Sequence, residues 1–348
     1  MERKHWLDNV RWSTVMLVLI YHVFYIYNGV GILGGIPGSQ GDPIADTISS
    51  IVYPWFMVLL FLIAGLSSRY ALQRKTKKQF IKERATKLLI PSTLGLFVVH
   101  WVTGYLNIKL GGGLEYIPSF LVYPISVISG IGPLWFAQML FLFSCAALVF
   151  PSEVKVPQKW RIPILIGLYL LIWGSSRIGN LPVLTMYRFG IYFAAFAIGY
   201  FLLEELLETI VRLRTPLLIA ALISGISYTI RYYGSNFTTD ACLQSWLTNL
   251  YAYTAVLSIV AWARKCWNKQ GSFSRFLSRN SYGFYVLHYP VLMVCCYLLH
   301  VHTSLPQTAK YAIAMPCVVV ITWAVNEAIK RIPVVRYLVL GMKKGRKA

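Results

Sequence analysis

Acidic residues are scarce in this chain. It has 12 Asp and Glu residues against 33 Lys and Arg residues, and its formal net charge is +21. Only 13% of its residues are charged, 57% are hydrophobic, and the mean hydropathy is +0.59. Because about 25% of the residues in an average soluble domain are charged, a soluble globular protein is excluded. The composition predicts a polytopic membrane protein.

Cysteines and metal-binding motifs are also few. Most of the six cysteines lie within apolar runs and only Cys242 is expected on the outer side, which excludes a disulfide framework. The sequence has no CxxC, HExxH or carboxylate cluster, so we predict no metal site and no permanently bound cofactor. It also lacks repeats and low-complexity tracts, and we predict one membrane domain over residues 1–348 without an appended soluble domain.

Long apolar runs dominate the sequence instead. A helix needs about 20 mainly apolar residues to cross the hydrocarbon core. Together the runs predict an all-α protein with about ten transmembrane helices. The apolar segment 114–131 is broken by two prolines and Gly130 and is predicted to be a re-entrant or interfacial element. The runs centre on residues 12–28, 48–70, 88–106, 133–150, 161–174, 186–203, 215–231, 246–263, 281–301 and 309–329.

The basic residues are concentrated in every second one of the segments that connect these runs. If the N-terminus is cytosolic, nearly all of them fall inside, as the positive-inside rule requires. We therefore predict cytosolic N- and C-termini and a multi-pass protein of the cell membrane. The basic segments then serve orientation and contact with membrane lipids, and nucleic acid is not an expected partner. The basic residues predicted outside are Lys109, Arg177, Arg188, Arg231 and Lys310.

The first apolar run carries an arginine near its start and a histidine well inside it. Arg11 and His22 are 11 residues apart, which on an α-helix is about three turns and a rise of about 16 Å. They are therefore predicted to share one face, and Asp8 is placed to pair with Arg11 across one turn. An ionisable side chain deep in a membrane helix usually faces a protein interior or a wet cavity, which makes His22 a functional candidate.

This spacing, in LDNVRWSTVMLVLIYH, resembles the R-x10-H signature of acyltransferase family three. Further segments are similar to the blocks of that family, occur in the family's order and extend over nearly the whole chain. They are FLIAGLSSRYAL, FIKERATKLLIP, GPLWFAQMLFLF, NSYGFYVLHYPVL and NEAIKRIPVVRYL.

The resemblance implies ten spans and a membrane enzyme that takes an acyl group, such as acetyl or succinyl, from cytosolic acyl-CoA as donor co-substrate. The acceptor is a hydroxyl of a carbohydrate or another molecule, which we expect to be reached from the outer face. The opening block is similar to that of the glucan-succinylating membrane proteins. O-acetylation or a related polysaccharide modification in a bacterial plasma membrane is therefore expected.

Acyl transfer to a hydroxyl requires a base for the hydroxyl proton. We assign this role to His22, because a neutral imidazole, with an unperturbed pKa of ~6.5, suits it. Arg11 is assigned to the catalytic site as well, where it either binds a phosphate of CoA or orients the thioester. The alternative is that His22 only hydrogen-bonds a neighbouring helix and Arg11 only anchors the inner end of its own helix.

The donor site is expected in the basic loop before the third span. The family's R-x-x-R motif appears here as Arg84-Ala-Thr-Lys87, where lysine keeps the charge but loses the bidentate fork. Arg84 and Lys87 are predicted to hold the phosphates of CoA, with Lys82 and Arg69 as weaker candidates. Contact with anionic lipids is the alternative for all four.

Three more residues are assigned to the substrate site. The resemblance implies that Trp135 forms a wall of the acceptor site, and the alternative is an ordinary tryptophan at the membrane interface. His288 lies in the ninth span just before Pro290, where packing or a supporting hydrogen bond competes with substrate contact. His100 lies in the outer half of the third span and can face the acceptor. Glu327 is expected to pair with Lys330 or Arg331.

Two other classes of protein fit part of the sequence. A secondary transporter of a small polar metabolite or glycan precursor also has about ten spans and a buried histidine. Against it, the sequence shows no inverted repeat and no interrupted helices in matching halves. In a non-catalytic membrane scaffold, Arg11 and His22 are packing residues, and only the resemblance argues against it.

Overall fold

The structure is a computed structural model, and it describes residues 4–32, 34–39, 41–151, 154–181 and 186–343. About 80% of the residues are helical, and these ranges contain no strand, as the predicted all-α class requires. The α-helices are α1 (His5–Tyr25), α2 (Pro43–Leu72), α3 (Lys77–Arg84), α4 (Ile90–Gly95), α5 (Trp101–Leu110), α6 (Ser119–Ser129), α7 (Trp135–Ala146), α8 (Arg161–Ser175), α9 (Phe189–Phe201), α10 (Leu203–Arg212), α11 (Arg214–Tyr232), α12 (Asp240–Leu243), α13 (Trp246–Cys266), α14 (Ser272–His302), α15 (Gln307–Arg331) and α16 (Pro333–Leu340).

Several helices are long and apolar enough to cross a membrane. In the described ranges there are four, Pro43–Leu72, Lys77–Leu110, Ser272–His302 and Gln307–Arg331, or up to six if two bent helix pairs each count as one span. Each of the ten predicted runs contains a helix, but α8, with 15 residues, rises only about 22 Å. The ten crossings and the cytosolic termini stay predictions.

The span Lys77–Leu110 is not a regular α-helix. It widens into π-helical turns at Ala85–Leu89 and Leu96–His100. The first turn has a local cause, because Pro91 has no N–H to donate to the carbonyl of Lys87 four residues earlier. The Tyr282 hydroxyl donates to that carbonyl instead. The predicted R-x-x-R motif thus ends inside a π-helical turn.

The chain forms two compact units, each assembled from separate segments. The first unit contains residues 1–14, 49–81 and 142–278. Within it, α2 and α9 lie so close together that only glycine fits at two positions. A Cβ on Gly65 would collide with the backbone of Phe196, and one on Gly199 with that of Leu62. Small residues at a helix crossing are a common means of packing membrane helices.

The second unit contains residues 15–48, 82–141 and 279–348. Its helices α14 and α15 also meet at a glycine: a Cβ on Gly283 would collide with the side-chain amide of Asn326. Next to this crossing, Lys330 donates to Asn280 at 2.6 Å and pairs with Glu327 at 2.6 Å, so the predicted ion pair of Glu327 is confirmed.

The segment 114–131 is broken at Pro118, which precedes α6, and at Gly130, which follows it, whereas the predicted break at Pro124 is wrong because α6 continues through this proline. It contains a short 3-10 turn at Gly113–Tyr116 and then α6, and the helix pair Ser119–Ser129 and Gly132–Ala146 is bent by 53°. In the second unit α6 lies so close to α5 that a Cβ on Gly104 would collide with the backbone of Ser126.

Candidate active site

The helix α1 carries both residues of the R-x10-H spacing. It runs without a break from His5 to Tyr25, so the predicted rise of about 16 Å between Arg11 and His22 applies along it. In the first unit, Arg11 pairs with Asp8 at 3.4 Å, which confirms the predicted one-turn ion pair. Its Nη2 also donates to the Ser67 hydroxyl at 2.8 Å. Ser67 belongs to the block FLIAGLSSRYAL, so two family blocks meet at Arg11.

His22 lies in the second unit and is held by two acceptors. Its Nδ1 is 2.8 Å from the carbonyl oxygen of Val18 and 3.2 Å from Nε2 of His288. The Nδ1 of His288 is 2.8 Å from the carbonyl of Phe284 and 2.9 Å from that of Tyr285. Since carbonyl oxygens only accept, Nδ1 carries the hydrogen in both rings.

This arrangement fixes the tautomer of His22. The neutral ring has one N–H, which lies on Nδ1, and so its lone pair lies on Nε2. Within the described ranges no group hydrogen-bonds this Nε2, and the ring is half-buried. His288, by contrast, is 1% exposed, and its Nε2 lies against Nδ1 of His22. In this pair, the Nε2 of His22 is the basic nitrogen with an open lone pair, and the buried ring of His288 orients the ring of His22 through Nδ1.

Three tyrosine rings complete the surroundings of His22. Tyr21 and Tyr289 lie with their ring centroids 5.1 Å from the imidazole and Tyr25 at 6.1 Å, all edge to face. Such contacts restrict the tilt of the ring without giving it a charged partner. Aromatic packing thus restricts the orientation of the imidazole ring, and its hydrogen bonds fix the tautomer of the neutral ring.

The block GPLWFAQMLFLF reaches the same place through its first residues. Gly132 has φ +45°, and a Cβ there would lie 2.9 Å from the ring of Tyr289, which packs on His22. The Tyr285 hydroxyl donates to the carbonyl of Pro133 at 2.8 Å and accepts from the N–H of Ala137 at 3.1 Å. This glycine lets the segment lie against α14.

The other two predicted substrate residues lie deeper than expected. Trp135 is 8% exposed and packs edge to face on Phe136. His100 is 1% exposed and its Nε2 lies 2.8 Å from the carbonyl of Val286, two residues before His288. His100 thus contacts the helix that carries His288, and substrate contact by either residue remains a prediction.

Three of the predicted donor cations lie in the first part of the span Lys77–Leu110. Arg84 ends α3 and is half-buried, whereas Lys82 and Lys87 are exposed. The Lys87 ammonium lies 5.9 Å from the ring centroid of Tyr282, and the Tyr282 hydroxyl donates to the Lys87 carbonyl. The blocks FIKERATKLLIP and NSYGFYVLHYPVL therefore meet at this motif in the second unit.

Arg69, the fourth predicted donor residue, lies in the first unit and is largely engaged by protein groups. It is 6% exposed, donates to the carbonyl of Phe201 at 3.0 Å and pairs with Glu205 at 3.4 Å. Its neighbour Tyr70 donates to Glu204, which also pairs with Lys4 at 2.8 Å. This network favours a structural role for Arg69 over phosphate binding.

The tyrosines of α14 were not among the site residues predicted from the sequence. Tyr282 donates to the Lys87 carbonyl, Tyr285 contacts the segment from Pro133 to Ala137, and Tyr289 packs on the ring of His22. Their spacing of three and seven residues places them along one face of a helix, so the sequence contained a signal. It was hidden because aromatic residues are common throughout this chain.

These features define a helical membrane protein with a histidine site that several sequence blocks build together. Residues 4–327 match the family model described as an acyltransferase domain, that of acyltransferase family three. The chain therefore belongs to acyltransferase family three, which confirms the resemblance seen in the sequence, and it is a membrane acyltransferase. Neither the curated proteins nor the solved structures gave a match.

Two helix pairs of the described residues bear on the transporter alternative. The pairs Ser119–Ser129 with Gly132–Ala146 and Phe189–Phe201 with Leu203–Arg212 are bent by 53° and 88°. These bends do not place interrupted helices in matching halves, so the absence of such a pair stays a prediction. The family match, and not the regularity of the helices, is what favours an enzyme.

Proposed function

We propose that this acyltransferase moves an acyl group from cytosolic acyl-CoA to a hydroxyl of a carbohydrate acceptor that arrives from the outer face. The observation that carries the proposal is the state of His22. Its Nδ1 is held by Val18 and His288, which leaves the Nε2 lone pair open. A base needs such a nitrogen within reach of the proton that it removes.

The reaction balances with His22 as the only proton carrier. Nε2 takes the proton of the acceptor hydroxyl while its oxygen attacks the thioester carbonyl carbon, and a tetrahedral oxyanion forms. When that intermediate collapses, the C–S bond breaks and His22 passes the proton to the leaving thiolate. The products are an ester and free CoA. His288 stays neutral and accepts the Nδ1 hydrogen bond, which keeps the ring in the required direction.

The donor is proposed to bind at the motif formed by Arg84 and Lys87. A guanidinium and an ammonium near the inner end of a span suit the phosphates of CoA. The π-helical turn at Ala85–Leu89 supports this, since such turns occur frequently at functional sites. For Arg11, which pairs with Asp8 and donates to Ser67 within the first unit, phosphate binding and orientation of the thioester both stay proposed roles.

The proposal is tested with purified protein in lipid nanodiscs. Radiolabelled acetyl-CoA and succinyl-CoA are each incubated with the protein and a mixture of neutral glucan oligosaccharides, and ester formation and free thiol are measured. Wild-type protein should form an ester and release thiol in equal amounts. Thiol release without ester would show hydrolysis, and no reaction with either donor would reject the proposed donors.

A further inference from the structure

The last described helix, α16, packs in the second unit against the span that carries the proposed donor motif, and the proposed chemistry does not use it. The block NEAIKRIPVVRYL ends within this helix. Val339 and Leu340, at the end of α16, are buried. The helix lies so close to the span that a Cβ on Gly95 would stand 3.0 Å from the carbonyl oxygen of Leu338. This packing fixes where α16 ends.

Gly341 ends α16 in the left-handed conformation and touches the motif itself. Its φ is +59°, and its N–H donates to the carbonyl of Tyr337 at 3.0 Å. A Cβ at this position would collide with the carbonyl oxygen of Thr86 and lie 3.1 Å from the Cα of Lys87. Glycine is therefore required twice, for its backbone angle and for the close approach.

The Thr86 carbonyl can receive this neighbour because neither of its ordinary helical donors reaches it. In the π-helical turn the N–H of Ile90 binds the carbonyl of Ala85, five residues earlier. The donor for Thr86 in the same spacing would be residue 91, which is proline and has no N–H. The hydrogen of Gly341 that stands in place of a Cβ points at this oxygen instead, a weak contact that no larger residue permits.

The turn of the motif is thus held on two sides within the second unit. The Tyr282 hydroxyl of α14 donates to the Lys87 carbonyl, and Gly341 of α16 lies against the carbonyl of Thr86, one residue earlier. A π-helical turn holds one more residue than an α-helical turn, so its shape sets the directions in which the flanking side chains Arg84 and Lys87 leave the helix.

We propose that Gly341 is a positioning residue for donor binding. The end of α16 holds the turn Ala85–Leu89 in the shape that directs Arg84 and Lys87 to the phosphates of CoA. This inference rests on the proposed function, since it concerns the site proposed there for the donor. Gly341 itself does not touch CoA, and its effect on binding passes entirely through the motif.

The test is the affinity for CoA itself, titrated into purified protein in nanodiscs without any acceptor. Gly341→Ala should weaken CoA binding about tenfold, because a displaced turn loses part of the charged hydrogen bonds to phosphate. The affinity of this variant should also fall less steeply than that of the wild type as salt is added, because fewer charge contacts remain to be screened.

Gly112→Ala is the matched control. Gly112 lies just after the same span, has φ +70° and has open space where a Cβ would stand. Alanine there imposes the same backbone strain without a collision, so its CoA affinity should equal that of the wild type.

Val339→Ala is the second variant, and it serves if Gly341→Ala does not fold. It loosens the packing of α16 without creating a new contact, and it should weaken CoA binding severalfold. Size-exclusion elution and the unfolding temperature show that each variant is folded.

A double variant shows whether Gly341 acts through the motif. Arg84→Ala combined with Gly341→Ala should lose clearly less CoA affinity than the two single losses add up to, because both changes remove the same phosphate contacts. The same comparison is made with Val339→Ala. Fully additive losses would mean that α16 acts on the fold in general, and the positioning role would be rejected.

The outcomes separate this inference from the proposed function. Weaker CoA binding by Arg84→Ala, with wild-type binding by Gly341→Ala and Val339→Ala, would leave the donor site in place and reject the role of α16. CoA binding that Arg84→Ala does not change would reject the donor site, and the positioning role with it. Weaker, less salt-dependent and non-additive binding in the α16 variants supports the inference.

Discussion

At the scale of single residues, the site depends on where one hydrogen atom lies in the ring of His22. Val18 and His288 both accept from Nδ1, so the lone pair is on Nε2. A histidine that served only packing would not need a second, fully buried histidine aligned on it by two backbone carbonyls. Each of the two histidines therefore has its own predicted effect on turnover.

Replacing His22 removes the proposed base. We expect His22→Ala to lower the rate of acyl transfer by ~10²-fold or more, while the affinity for acyl-CoA measured by titration changes little. The reason is that the imidazole acts on the acceptor hydroxyl and not on the phosphates of the donor. Near-normal turnover in correctly inserted His22→Ala protein would reject the assignment.

Replacing His288 tests its role as a positioning residue. In His288→Gln the side-chain oxygen can still accept from Nδ1 of His22, whereas His288→Leu offers no acceptor. Because a neutral hydrogen bond contributes about 1 kcal/mol, we expect kcat to fall about five- to tenfold in His288→Leu, with partial recovery in His288→Gln.

The KM values for donor and acceptor distinguish positioning from substrate contact. They should stay unchanged in both His288 variants, because the buried ring acts through His22 and not on a ligand. A rise in the acceptor KM with constant kcat would instead make His288 a substrate-binding residue, as one reading of the sequence had it.

At the scale of elements, the important feature is the irregular span from Lys77 to Leu110. Pro91 removes one helical hydrogen bond, the helix widens into a π-helical turn, and the freed carbonyl of Lys87 binds Tyr282 of α14. The R-x-x-R position is thereby fixed to the helix that carries His288. A proline four residues after the motif thus links the proposed donor cations to the proposed catalytic helix.

The donor role of this element is tested by comparing charges within the same basic segment. Arg84→Ala should weaken acyl-CoA binding about ten- to a hundredfold, because a charged hydrogen bond to a phosphate is worth about 1.5 to 3 kcal/mol. Lys78→Ala removes one exposed charge of α3 outside the motif and should have little effect. The measurement is titration of purified protein with acyl-CoA.

Arg84→Lys distinguishes a forked contact from a point charge. It should recover only part of the affinity if two parallel hydrogen bonds reach one phosphate, and nearly all of it if charge alone matters. Equal affinities for Arg84→Ala, Arg84→Lys and Lys78→Ala would leave the segment as a membrane anchor and place the donor elsewhere.

At the scale of the whole molecule, the charge pattern determines the expected orientation. The segment that precedes the motif carries many of the 33 basic residues and is predicted to face the cytosol. The turn between α14 and α15 is predicted outside. This orientation decides from which side acyl-CoA and acceptor approach, and so it underlies the proposed function.

Orientation is measured with single exposed cysteines in a Cys266→Ser background, because Cys266 is exposed. Ser304→Cys, in the turn before α15, should react with a membrane-impermeant maleimide on intact cells. Gln73→Cys, at the exposed end of α2, should react only after permeabilisation. It leaves intact the cap in which Thr76 and Gln79 exchange hydrogen bonds at the start of α3. The opposite labelling pattern would overturn the predicted topology.

Local features could be predicted from the sequence because helix geometry fixes them. The pairs of Asp8 with Arg11 and of Glu327 with Lys330 are both three residues apart, and both are present. The end of α6 at Gly130 also followed from the glycine, whereas Pro124 lies inside α6 without ending it. The family could be identified because its motifs are short contiguous segments that keep their order along the chain.

Long-range contacts were decided only by the tertiary structure. His22 and His288 are 266 residues apart, and no periodicity relates residues on different helices. The sequence by itself therefore determined the class, the family and the candidate base. Folding decided which nitrogen of that base is open and which groups face it, since those depend on helices that meet only in space.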